Sequence, residues 1–215
     1  MTELRGLDSN GARHLLTIGG VDGVVSAEII GEFKLAVGRV FDAHAAQALT
    51  SAAHRLQVFD LAVSLLSVRA RSARELGLAL RRRGAQDDET RAAMTRLVEL
   101  RLVDDAAYAR NVARTKAVAG GMSKRRLQQE LARRGVAAEL ARAAVGDVLE
   151  DVGLDEFESA LVVARKRVRS LGTLDGPVMR RRLYAFLARR GYESSVITRA
   201  MAVALGGEAD AQADD

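Results

Sequence analysis

One nine-residue pattern constrains this chain more than any other feature. LxxxLxRRG occurs three times, at Leu76–Gly84, Leu127–Gly135 and Leu183–Gly191. Spacings of this length between copies fit a unit of three short helices rather than the two-helix unit of a roughly 34-residue solenoid. Alanine follows each glycine at nine residues (Ala93, Ala144, Ala200), with bulky apolar residues at ten (Met94, Val145, Met201) and fourteen (Val98, Leu149, Leu205). Those offsets predict one apolar stripe on a following helix. Upstream, Phe59/Val63, Tyr108/Val112 and Phe157/Leu161 are i, i+4 pairs that predict a first helix in each unit.

The boundary signals agree with three helices per unit. Ser72 with Glu75 forms a capping box, and Ser123 caps without the Glu partner. Asp104 and Asp155 suit the starts of first helices, and Pro177 suits a first turn. Gly84, Gly135 and Gly191 stand where a left-handed residue ends a helix, so the middle helices are predicted near 73–83, 124–134 and 178–190. Residues 1–57 do not repeat. There Arg13–Ile18, Gly19–Gly20 and Val21–Val25 read as strand, turn and strand, 26–38 has an ambiguous period, and 42–57 reads as an Ala-rich helix that can run into the first unit. The predicted fold is all-α: a tandem, elongated and curved array of three three-helix repeats behind a small N-terminal extension (a short β-hairpin plus helix). Its segments are 1–57, the repeats 58–103, 104–151 and 152–207, and an acidic tail over 208–215 expected to be disordered.

Composition excludes several classes. The 48% hydrophobic content supports a core, while one proline and 4% aromatics argue against a sandwich of many short strands. Zero cysteines removes disulfides, Cys-ligated zinc and thiol catalysis. With no bilayer-length apolar run and no signal-peptide pattern, the expectation is a cytoplasmic chain that meets no membrane. No P-loop or GxGxxG occurs, and His14, His44 and His54 have no metal-ligand spacing, so no cofactor and no metal are expected. The acid pairs Asp87–Asp88 and Asp104–Asp105 could suggest a metal-dependent nuclease, but both stand at helix starts, where capping accounts for them. No nucleophile has a base beside it, and no catalytic residue is assigned.

Charge points to the partner. Net charge is +5, the stretch 152–207 carries 10 bases against 5 acids, and 29 of the 33 bases are Arg. An anionic partner selects Arg for its bidentate bonds, and a GC-rich genome also writes Arg for Lys; composition leaves both open. On a helical wheel whose zero is the first leucine of each motif, Arg74, Arg125 and Arg181 share the outer face with Arg82, Arg133 and Arg189. Arg81, Lys124, Arg126, Arg180 and Arg182 stand beside them. These bases form either a contact surface or a merely solvated face. The second Arg of each pair (Arg83, Arg134, Arg190) turns toward the leucine face, where it is expected to satisfy open carbonyls at its helix end. The third helices are mostly Ala, Val, Met and Leu, where base readers usually show Asn, Gln or Ser, so sequence-specific DNA reading is not expected.

Three stretches carry a family resemblance. LSVRARSARELGLALRRRG (66–84) and DDAAYARNVARTKAVAGGMSKRRLQQELARRGV (104–136) resemble the signature of the bacterial regulatory RecX family. RRRLYAFLARRGYESSVI (180–197) resembles that family's last repeat, with Tyr192 where Phe is common, and the similarity spans roughly 24–205. The resemblance implies a non-enzymatic, monomeric negative regulator of RecA, with roles in DNA recombination, DNA repair and the SOS response. Such proteins lie in the groove of the RecA–single-stranded-DNA filament, inhibit ATP hydrolysis, strand exchange and co-protease activity, and promote filament loss. The expected partners are the RecA filament and, non-specifically, single- or double-stranded DNA. The alternative is a sequence-independent DNA-binding repeat protein that competes for DNA.

Overall fold

The computed structural model describes residues 3–7, 12–18, 20–172 and 175–211, with side chains through Gly206. It divides into two compact parts, Met1–Asp104 and Asp105–Asp215.

The first part opens with three antiparallel strands in the order β1 (Glu3–Gly6), β2 (Arg13–Ile18), β3 (Val21–Ser26). The β2–β3 hairpin appears as predicted, with Ile18 opposite Val21 and Gly20 at φ +83°. Gly19, the other predicted turn residue, lies outside the described residues. Strand β1 was not predicted: ELRG is too short and too polar to alternate, and its pairing with β2 makes it a strand. The ambiguous segment contains α1 (Ala27–Glu32), capped by Ser26, whose hydroxyl accepts from the Ile29 N–H.

Helix α2 (Ala43–Val68) begins at Asp42, whose carboxylate accepts from the Ala45 N–H at 2.7 Å. It runs without a break through residue 57, where the sequence reading ended the N-terminal extension. Its first half packs Leu49, Ala52 and Leu56 against Leu16, Val25, Ile29 and Leu35. Its second half packs Val58, Ala62 and Leu65 against α3 (Ala73–Arg81) and α4 (Asp87–Glu99) through Leu76, Leu80, Ala93 and Leu97. One helix thus serves two small cores, and Phe59 lies inside it instead of opening a helix. Arg13 on β2 ties the sheet to α2 by donating to both carboxylate oxygens of Asp60.

The second part holds two more three-helix units. These are α5 (Asp105–Ala119), α6 (Lys124–Arg133) and α7 (Ala138–Asp151), then α8 (Glu156–Leu171), α9 (Gly176–Arg189) and α10 (Ser194–Ala211). Each has its own core, centred on Leu127, Leu131 and Val145 in one and on Leu183, Leu187 and Ile197 in the other. The motif leucines are among the most deeply buried side chains of every unit, at 0–2% exposure. Gly84, Gly135 and Gly191 take φ of +92°, +84° and +85°, the left-handed turn their positions required.

Three details depart from expectation. Val98 is exposed at 53% while Leu97 is fully buried, because α4 turns its apolar stripe one residue earlier than the spacing implied. Arg101 occupies a left-handed turn at φ +56° with no glycine to mark it in the sequence. Helix α10 continues to Ala211, so the expected disordered tail does not begin at 208; an uninterrupted helical run through Ala202–Ala211 carries the backbone on, and 212–215 lie outside the described residues.

Candidate interaction surface

The predicted contact bases are all exposed: Arg74, Arg81 and Arg82 around α3, Lys124, Arg125, Arg126 and Arg133 on α6, and Arg180, Arg181, Arg182 and Arg189 on α9. The leucine pairs fix this. With Leu76/Leu80, Leu127/Leu131 and Leu183/Leu187 driven inward, residues two before and six after the first leucine must point out. Two of these bases are already engaged. Arg81 donates to Asp87 at 2.7 Å across the turn into α4, between exposed groups where a pair contributes about 0–1 kcal/mol. Arg126 donates from Nη1 to the carbonyl of Arg189 at 3.1 Å. That bond brings the start of α6 and the end of α9, and with them bases from two motif copies, to one place. Among the described residues, the other predicted bases make no ion pair.

The second Arg of the pair behaves differently in the three copies. Arg134 reaches side chains: its guanidinium donates to Glu130 at 2.8 and 3.0 Å and to the Tyr108 hydroxyl at 3.2 Å, tying α6 to α5. The Arg134 hydrogen bond holds the Glu130 carboxyl below its ordinary pKa. Arg190 does satisfy a carbonyl, that of Gly121 at 2.9 Å, but Gly121 belongs to the preceding unit rather than to its own helix. Its guanidinium also lies 4.6 Å over the Phe186 ring. Arg83 is exposed. Arg134 and Arg190 are long enough to reach partners outside their own helix, and a helical wheel cannot supply those partners.

Sequence reasoning missed further bases on α8. Arg165, Lys166 and Arg169 are exposed and, among the described residues, pair with no carboxylate. The run RKRVR (165–169) was their signal, unread because it lies outside the LxxxLxRRG motif. Ser123 was read as a cap, and it is one, but its hydroxyl also donates to the Arg190 carbonyl at 2.9 Å, which no local signal announces. The expected role of Ser72 is seen in its hydroxyl accepting from the Glu75 N–H at 3.1 Å. Asp87 and Asp88 sit in the first turn of α4, at the helix start expected of them, but the capping box belongs to Gln86 and Glu89, whose carboxylate accepts from the Gln86 N–H at 2.9 Å; among the described residues no group of three metal-ligating side chains comes together. Nor does any described helix have the length and apolarity to cross a membrane.

Comparison with known proteins bears on what this surface serves. Residues 104–145 match the model of the second three-helix domain of RecX, and 155–201 match that of the third. The regulatory protein RecX of Amycolatopsis mediterranei is 38% identical over 133 residues, 62% of this chain and 74% of that protein. The chain belongs to the RecX family. A RecX from Mycolicibacterium smegmatis is 34% identical over 153 residues, covering 71% of this chain and 81% of its own length. The fold agrees as well. A RecX crystal structure superposes with a TM-score of 0.77 at 19% identity, covering 91% of this chain and 95% of that one. The RecX of Lactobacillus salivarius does so at 0.60 and 19%, covering 69% and 94%. The matched RecX domains contain α6 and α9 and therefore the clustered bases of both.

Proposed function

We propose that this chain is a non-enzymatic, monomeric negative regulator of RecA that works in the bacterial cytoplasm. It lies in the groove of the RecA–single-stranded-DNA filament, inhibits ATP hydrolysis, strand exchange and co-protease activity, and promotes filament loss. Recombination, repair and the SOS response are the processes it restrains. The observation that carries this reading is the repetition of exposed bases on the middle helix of every three-helix unit in a member of the RecX family. A repeated cationic face suits a partner that itself repeats, because each further unit then binds at high effective concentration.

The test is RecA's single-stranded-DNA-dependent ATP hydrolysis, titrated with this protein at saturating DNA. Inhibition well below one molecule per RecA protomer supports action on the filament. Replacing Arg74, Arg82, Arg125, Arg133, Arg181 and Arg189 with Ala should weaken filament binding and flatten its salt dependence with helicity intact. Unchanged affinity at low salt would remove these residues from the interface. The second reading, competition for DNA, is favoured by the exposed Arg165, Lys166 and Arg169 of α8, which suit phosphate contacts. It predicts inhibition only near the stoichiometry that covers the DNA, relieved by adding more.

A further inference from the structure

Two helix ends of opposite polarity meet inside the second part of the chain. Helix α6 starts with Lys124, Arg125 and Arg126 and has no acid in its first turn, the wrong charge for the positive end of a helix dipole. The third unit supplies the missing acid: Glu156, in the first turn of α8, accepts from the Lys124 N–H at 3.1 Å. In return the second unit caps the negative end of α9. Arg126 donates to the Arg189 carbonyl at 3.1 Å, and the fully buried Ser123 hydroxyl donates to the Arg190 carbonyl at 2.9 Å. The same hydroxyl accepts from the Arg126 N–H at 3.2 Å, so one oxygen serves both helix ends. Arg190 closes the ring by donating to the Gly121 carbonyl.

We propose that this reciprocal capping is a latch. It fixes α6 and α9 in one orientation, and Ser123, Glu156 and Arg190 are positioning residues for the bases Lys124, Arg125, Arg126 and Arg189 beside it. The latch rests on the helix-end geometry alone; the positioning role rests on the reading of these bases as the RecA-filament contact. Losing the latch would cost affinity because bases on two freely moving units no longer engage a partner together.

The chain has no cysteine, so a Cys pair introduced at the exposed Gln129 of α6 and Ser195 of α10 can carry spin labels for distance measurement. The native chain should give one narrow distribution. Ser123→Ala and Glu156→Ala should each broaden it, while Glu156→Gln, whose amide oxygen still accepts from the Lys124 N–H, should stay close to native. In RecA ATPase titrations the two Ala variants should inhibit about tenfold less well at unchanged helicity, with Glu156→Gln retaining most potency. Narrow distributions in both Ala variants would overturn the latch. Broadened distances with undiminished inhibition would overturn the positioning role. If the native chain fails to inhibit RecA, the filament reading and the positioning role fall together, and the distances still decide the latch. Should Ser123→Ala not fold, Glu156→Ala alone makes the same test from a partly exposed side chain.

Discussion

Replacing Gly191 with Ala tests the packing logic of the repeat most sharply. Gly191 sits at φ +85°, and a Cβ added there would stand 2.7 Å from the Ser123 Oγ and 3.6 Å from the Arg126 nitrogen. Gly135 offers the matched control in the same part of the chain: φ is +84° and an added Cβ would meet nothing within 4 Å. Both changes force an L-residue into the left-handed region, at a cost of about 1–2 kcal/mol. Only Gly191→Ala must also displace a buried hydroxyl that caps two helix ends, adding roughly 1–3 kcal/mol for the unmade bond. The expected losses are about 1 kcal/mol for Gly135→Ala and about 3 kcal/mol for Gly191→Ala, working from the lower and middle values of those ranges. Urea unfolding of the full chain, followed by far-UV circular dichroism, reads both. Adding Ser123→Ala to Gly191→Ala removes the clashing oxygen, so the double variant should lose less than the sum of the singles. Equal destabilisation by the two glycine changes, or strict additivity of the pair, would refute the argument.

Arg101 is strained where glycine would not be, so Arg101→Gly should raise the urea midpoint by about 1 kcal/mol of stability; a lower midpoint would show that its side chain contributes more than its backbone costs. The paired ends of the Arg13–Asp60 bridge are 28% and 39% exposed, and a double-mutant cycle to Ala should find a coupling of roughly 1 kcal/mol; none at all would make the sheet's attachment purely hydrophobic. Because Arg134 lowers the Glu130 pKa, that pair's contribution to stability is present above the ordinary value of 4.5 and is lost as pH falls through the lowered one. Glu130→Gln should therefore flatten the acid limb of a stability-versus-pH curve, and an unchanged limb would disprove it. Burial raises the Tyr192 pKa, so the native state resists ionisation and stability should fall as pH climbs past the ordinary value of 10. Tyr192→Phe should remove that alkaline loss while giving up the 3.0 Å bond between the Tyr192 and Ser159 hydroxyls, about 1 kcal/mol at neutral pH.

Much of the fold was legible because its signals are local. A leucine pair four residues apart, a Ser or Asp before it and a glycine after it are set by helix geometry and backbone sterics, and these found α3, α6 and α9 to within about two residues. The β2–β3 hairpin was readable for the same reason. Strand β1, Arg101 and the exposure of Val98 were not, because each depends on what the segment packs or pairs against. The candidate surface divides the same way. That Arg125, Arg133, Arg181 and Arg189 face outward follows from where the leucines must go.

The sequence by itself therefore determined the number of units, the helix that opens and the glycine that closes each motif, and the outward set of bases. Tertiary structure alone decided which of those bases are engaged and which units are joined. Arg126 and Arg189 are 63 residues apart, and Glu156 and Lys124 are 32 apart, so no helical period relates them. Their meeting requires that the end of α9 arrive at the start of α6, which only the packing of two separate cores can arrange. Helix ends leave their amides and carbonyls unmet. The chain encodes where those ends are, and the fold chooses which of them satisfy one another.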